Sequence, residues 1–275
     1  MLAVIRGAGD IASAIALRLH RSGISLMMTE VEQPLTVRRT VAFSEAVRLG
    51  ECQVEGVAAK HVESAVQAMD LIRSGCNAIP VLVDPECRCC DELHPDVLVD
   101  AILAKRNVGT AMHMAPVVIG IGPGFTAGVD CHAVVETMRG HTLGRVYYEG
   151  SALPNTAVPG LVGGFAGERV LRAASEGEFR GVAAIGDTVQ EDQVVAYVGG
   201  VPILATLNGV LRGLVADGVY VSKGLKCGDI DPRGDVSYCA LVSDKGLAVA
   251  GGVLEAILHL NRLFSGGREE GKAHA

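Results

Sequence analysis

The sequence predicts an α/β protein in two parts: a parallel-sheet domain over residues 1–177, then a small all-β module over 178–275 that ends in a helix. Three observations carry this reading. Short apolar runs alternate with a helical pattern at the start of the chain, the signature of a parallel sheet with crossover helices. Between residues 181 and 232 the runs shorten and turns recur every few residues. The segment "SDKGLAVAGGVLEAILHLNRLF" (243–264) has the pattern of an N-capped apolar helix.

Taken in order, "LAVIR" (2–6) is a short apolar, β-branched run that stops at Gly7. "DIASAIALRLHRSG" then places Ile11, Ile15, Leu17 and Leu19 at roughly helical spacing, with Gly23 at the C-cap. "ISLMMTE" (24–30) is a second strand ending in an acid. Further strands fall at 79–84, 96–103 and 116–122, near-continuous apolar runs of the kind covered on both faces. Residues 130–140 read as a helix or a turn-rich element leading to "GRVYYEG" (144–150). This half is expected to be Rossmann-like.

After the linker "SEGEFRG", residues 186–198 and 218–230 echo one another: Gly186 matches Gly218, Val189 matches Val221, and Val198 matches Ile230. Two hairpin motifs related in this way resemble the barrel-sandwich fold of biotinyl and lipoyl domains. The tip between them, "ATLNGVL" (205–211), holds no lysine, so no swinging arm is expected there. The closing stretch 266–275 is expected to lack fixed structure.

Composition excludes several classes. With 4% aromatics, no tryptophan and a net charge of −7, the chain has neither stacking platforms nor a basic field for nucleic acid. No apolar run reaches the length of a bilayer span, and the first residues have no leader pattern, so a cytoplasmic protein without membrane contact is expected. The eight cysteines are then expected as thiols.

The chemistry-bearing motifs sit at strand ends. "RGAGDIA" spells Gly7-x-Gly9-x-x-Ala12, a variant dinucleotide turn opening a helix. Glu30 stands where a ribose-binding acid would lie, and Asp10 inside the turn would repel a bare pyrophosphate. Arg38 and Arg39 in "TVRRT" are a candidate phosphate clamp, with Arg39 the preferred partner. "GIGPGF" supplies a second glycine turn, Gly122 and Gly124, and opens into a stretch holding Asp130, Glu136, Arg139 and His141. His141, Glu136 and Asp130 are the catalytic candidates, His141 because its ordinary pKa lies near neutrality. Lys105 and Arg106 could join the same rim. Cys87, Cys89 and Cys90, with His94 close by, suit zinc or a soft metal by residue type. Read as C-x-C-C the spacing departs from the usual ligand pair, and no metal site is assigned.

The stretches "VIRGAGDIASAIALRLHRSG", "MTEVEQPLTVRRTVAFSEAV", "DAILAKRN", "GIGPGFTAGVDCHAVVETMRGHTLGRVYYEGSALPNTAVPG", "GLKCGDIDPRG" and "SDKGLAVAGGVLEAIL" together resemble the YqeB family nearly end to end. The resemblance implies an accessory role in maturing selenium-dependent molybdenum hydroxylases, akin to XdhC-type chaperones. It implies molybdenum cofactor as ligand, gripped by Gly7, Gly9, Asp10, Glu30, Arg39, Gly122, Gly124 and Arg139, and a hydroxylase as partner. "ECRCC" falls outside the family's pattern. The alternatives are an NAD(P)-dependent oxidoreductase and a scaffold recruiting partners through the β module. Whether a reaction is catalysed, and whether the chain forms a homo-oligomer, stay open.

Overall fold

The computed structural model of the chain describes residues 1–269, with side chains through Asn261. Its first part runs β1 (Leu2–Arg6), α1 (Asp10–Arg21), β2 (Ser25–Glu30), α2 (Glu45–Leu49), β3 (Glu51–Val54), β4 (Val57–Val62), α3 (Ala65–Arg73), β5 (Ala78–Val83), α4 (Cys89–Leu93) and β6 (Val97–Asp100). It continues through β7 (Val117–Ile121), β8 (Thr126–Ala127), β9 (Ala133–Val135), β10 (Val146–Tyr147) and β11 (Gly150–Ser151). Nine of these strands form one sheet in the order β10-β9-β7-β6-β1-β2-β5-β4-β3. The interior is parallel, and both edges are antiparallel: β3 pairs with β4, and β10 with β9.

The second part runs β12 (Val170–Arg172), β13 (Gly177–Gly181), β14 (Thr188–Val189), β15 (Val194–Val198), β16 (Val201–Leu204), β17 (Gly209–Leu214), β18 (Tyr220–Val221) and β19 (Lys226–Asp231). They form two four-stranded antiparallel sheets, β12-β19-β17-β14 and β16-β15-β13-β18. The echo between residues 186–198 and 218–230 has a structural counterpart: β14 and β15 in the first copy answer to β18 and β19 in the second. Phe179, Val195, Val198, Leu211, Val221 and Ile230 close a common core between the sheets.

The last element, α5 (Asp244–Glu269), corrects the expected organisation. It packs on α1 and the large sheet, burying Val249, Ala250, Val253, Ala256, Ile257 and Leu260 in the same cluster as Ile5, Ile15 and Leu19. Their spacing makes one continuous apolar stripe. Each larger side chain buried there contributes about 1.5–3 kcal/mol, which the small β module, already closed on its own core, could not supply. Gly252 permits the contact, since a Cβ there would lie 2.2 Å from the carbonyl oxygen of Gly144. The expected Rossmann-like domain followed by a biotinyl/lipoyl-like barrel-sandwich with its own helix is therefore replaced by a mixed nine-stranded sheet, two antiparallel sheets, and a terminal helix that belongs to the first core.

Other expectations shift locally. Of the helix or turn-rich element expected over 130–140, the structure has the turns, together with the unexpected strand β9, whose Ala133, Val134 and Val135 are wholly buried beside β7. The strand expected over 96–103 ends at Asp100, a buried acid that accepts from Thr110 and Arg6. The helix continues through the stretch expected to be unstructured as far as Glu269, and 270–275 lie outside the described residues. No helix among the described residues is long and apolar enough to cross a membrane.

Candidate functional site

A cleft of about 1220 Å³ opens where the carboxyl ends of the parallel strands face the antiparallel sheets. Gly7 after β1, Glu30 ending β2, Ala101 after β6, Ile121 ending β7 and Glu136 after β9 all line it. The sheet's strand order reverses between β1 and β6, the switch point outside which ligands bind in open α/β sheets. Gly7 is required there: its φ is +96°, and a Cβ would stand 3.1 Å from the Ala101 carbonyl oxygen.

The structure brings Gly7, Gly9, Asp10, Glu30, Glu136 and Arg139 to this one wall. Several are already engaged. Glu30 Oε2 accepts the Ala8 amide at 2.9 Å and Oε1 the Val31 amide at 2.8 Å. Burial pushes the Glu30 carboxyl up, against those two hydrogen bonds. Asp10 accepts the Ile11 amide at 3.0 Å. The turn thus presents internal carboxylates at the place where a dinucleotide phosphate would sit. Glu136, wholly buried, accepts three amides: Thr137 at 2.7 Å, Met138 at 2.6 Å and Leu153 at 2.8 Å. It clasps the cleft wall together. Arg139 forks onto Asp244 at 2.6 and 3.0 Å, and that hydrogen-bonded pair pulls the Asp244 carboxyl down to about 2.

Other candidates stand elsewhere. Asp130 accepts from Asn107 and the Thr126 amide, closing its own loop outside the cleft lining. His141 lies exposed on the turn beyond β9, also outside the lining. The three catalytic candidates therefore do not converge. Gly122 donates to the Val135 carbonyl at 2.8 Å, and neither it nor Gly124 lines the cleft. Arg39 donates to the Leu214 carbonyl at 2.8 Å and pairs with Glu45, fastening the two parts of the fold. Its neighbour Arg38 reaches the cleft wall, while its Nη2 holds the carbonyls of Tyr238 and Leu241.

The second part of the chain supplies what sequence reading missed. Arg212 on β17 forks onto Asp229 and Asp231 of β19, with Nε 2.9 Å from Asp229 and Nη1 2.9 Å from Asp231. Arg169 also pairs with Asp229, and Arg233 with Asp231. Burial pushes the Asp231 carboxyl up, but hydrogen bonds from Arg233 and the charges of Arg212 and Arg233 bring it below its ordinary value. Lys245, in the first turn of α5, lines the same cleft without an ion pair among the described residues. Burial lowers its amine from 10.5; Asp10 and Glu136 push it back up, and Arg139 and Lys105 push it further down. The charge balance is decisive. Arg38, Lys105, Arg139, Arg169, Arg172, Arg212, Lys226 and Lys245 face only Asp10, Glu30, Glu136 and Asp229 across the cleft, in a chain whose net charge is −7. A scan for charged residues in the first turn of an N-capped helix would have flagged Lys245, but only folding carries residue 245 back to residue 10.

No family model matches the chain. It is 54% identical over 259 residues to "Uncharacterized protein YqeB" of Escherichia coli K12, covering 94% of this chain and 48% of that one. That likeness fits the YqeB-type resemblance; the chain spans about half the length of the curated relative it matches. Among solved structures, a succinylglutamate desuccinylase/aspartoacylase from Rhodobacter sphaeroides is 16% identical with a TM-score of 0.24, over 51% of this chain and 60% of that one. An aspartoacylase family protein from Mesorhizobium loti is 11% identical with a TM-score of 0.26, over 83% and 84%. A succinylglutamate desuccinylase from a Silicibacter species is 13% identical with a TM-score of 0.25, over 83% and 84%. These solved structures carry desuccinylase and aspartoacylase names, and the expectations of hydroxylase maturation and NAD(P) oxidoreduction find no counterpart among them. In this chain Glu30 and Asp10 occupy the dinucleotide turn, and the β module directs its basic residues into the cleft.

Proposed function

We propose that the chain binds a small, multiply anionic metabolite, bearing phosphate or carboxylate groups, in the cleft between the sheet edge and the antiparallel sheets. The observation that supports this reading is the cleft's excess of basic over acidic side chains within an acidic chain. Its volume of about 1220 Å³ is above the range of about 300–1,000 Å³ usual for small-ligand pockets. Arg169, Arg212 and Arg139 are held by carboxylates and shape the walls. Arg38, Lys105, Arg172 and Lys245 have no carboxylate partner among the described residues; Arg38 and Arg172 are engaged by backbone carbonyls, which leaves Lys105 and Lys245 as the cations available to a ligand.

The test is calorimetric titration of the chain with pyrophosphate, a nucleoside triphosphate and a tricarboxylate. A charge-assisted hydrogen bond is worth about 1.5–3 kcal/mol, so Lys245→Ala is expected to weaken the anion that binds by about 10- to 100-fold. Unchanged affinity in both Lys245→Ala and Lys105→Ala would sink the proposal, as would the absence of binding by all three anions.

The depressed amine has a second consequence. Between its lowered value and 10.5, part of the free protein carries Lys245 uncharged, beside Asp10, Glu136, Arg139 and Lys105. A bound anion restores the charged form, so association takes up protons in that window and not below it. Titration at alkaline pH in buffers of different ionisation heat reads this uptake directly. It is expected in the wild type and absent in Lys245→Ala.

A further inference from the structure

Cys87 lies in the loop between β5 and α4, and Cys89 and Cys90 open α4, away from the cleft lining. They are 1%, 3% and 3% exposed, and their ligand atoms all fall within 4.8 Å of one another. Cys87 and Cys90 have two residues between them, a C-x2-C pair that reading the stretch as C-x-C-C obscures. Their sulfurs are 3.6 Å apart. Two sulfurs each bound at about 2.3 Å to one tetrahedral ion stand about 3.8 Å apart, so the pair already has the spacing of ligands sharing an ion.

The loop is built to hold this arrangement. Cys89 donates its amide to Asp84 Oδ2 at 2.8 Å, and Cys90 its amide to the Cys87 carbonyl at 3.2 Å. Arg6 donates to the Pro85 carbonyl through Nε at 3.1 Å and Nη2 at 2.9 Å. Cys87 itself has a φ of +60°, a conformation a non-glycine residue keeps only where its surroundings enforce it.

We propose that Cys87, Cys89 and Cys90 bind a thiophilic d10 cation, Zn²⁺, through three thiolates, with the fourth coordination position left to a non-cysteine ligand. Each ligating thiol gives its proton to solvent as its S–metal bond forms, and no oxidant or reductant is involved. Three thiolates are soft ligands that select such ions over Mg²⁺ or Ca²⁺. Zn²⁺ leaves a smaller residual charge in this buried site than Cu⁺, which decides between the two. A Cys87–Cys90 disulfide is the competing use of the pair. It gives Cys89 no role, and thiol–disulfide exchange needs access that sulfurs this buried lack.

The reduced, chelator-treated full chain is equilibrated with Zn²⁺ alone, desalted, and its metal content measured. One retained ion per chain is expected. It should be lost in Cys87→Ser, Cys89→Ser and Cys90→Ser and kept in Cys76→Ser, whose thiol is exposed. Should the buried variants fail to fold, X-ray absorption on the zinc-loaded wild type counts the sulfur ligands, with three expected. A second portion is equilibrated with Cu⁺ alone; its retention by the same three sulfurs where Zn²⁺ is not retained upholds the thiolate site and overturns the choice of ion. No retained ion, retention in all three variants, or a sulfur count of one or none overturns the site itself.

Discussion

Asp229→Ala is expected to destabilise the fold by about 3–5 kcal/mol, the cost of removing one partner from a buried ion network. Asp229 is 1% exposed on β19 and holds two arginines, Arg212 and Arg169, each 8% exposed. With the carboxylate gone, both guanidiniums face each other across a site that water reaches poorly. Arg212 keeps only Asp231, which also serves Arg233. Urea unfolding of the variant beside the wild type measures the shift. A change below about 1 kcal/mol, the size ordinary for an exposed ion pair, would show that solvent already screens the network.

Glu136→Ala is expected to cost about 3 kcal/mol, since the buried Thr137 amide and the partly buried Met138 and Leu153 amides lose their acceptor, and an orphaned buried donor costs about 1–3 kcal/mol with less for one that water reaches. Thr137, Met138 and Leu153 come from two separate segments that this carboxylate ties together. Amide exchange should therefore accelerate at those three positions more than across the sheet. Glu136→Gln is expected to fall between, because its amide keeps one accepting oxygen and turns an N–H₂ toward a donor. Normal protection in Glu136→Ala would return this residue to the catalytic candidates, with a carboxylate free for proton transfer.

Much of the first part was legible because its strands are buried on both faces, and such runs are uniformly apolar. The runs at 2–6, 24–30, 79–84 and 116–122 lie within one residue at each end of observed strands. The edge strands β3 and β4 were not legible. "ECQV" and "VAAKHV" mix exposed and buried positions, as edge strands do, and carry no continuous apolar signal. The second part announced itself through its internal echo, yet the echo said nothing of where the helix after it would pack.

The site divides in the same way. Gly7, Gly9, Asp10, Glu30 and Glu136 could be located from sequence because a strand end and the turn after it are local features. What each does could not be located. Whether Glu30 meets a ribose or the Ala8 amide depends on a few ångströms of turn geometry that residue types do not encode. The basic wall is wholly tertiary: Arg38, Arg169, Arg212 and Lys245 are scattered along the chain and meet because α5 returns to α1 and the antiparallel sheets face the carboxyl ends of the parallel strands. The same holds for the cysteines, whose spacing is written in the chain but whose burial comes from the packing of the loop around them. Local hydrophobic patterning by itself determined the interior strands, α1, α5 and the glycine turns at the strand ends. Which charges face one another was decided by long-range packing, since an ion pair or a metal site depends on distances that fall off over a few ångströms while sequence separation runs to hundreds of residues.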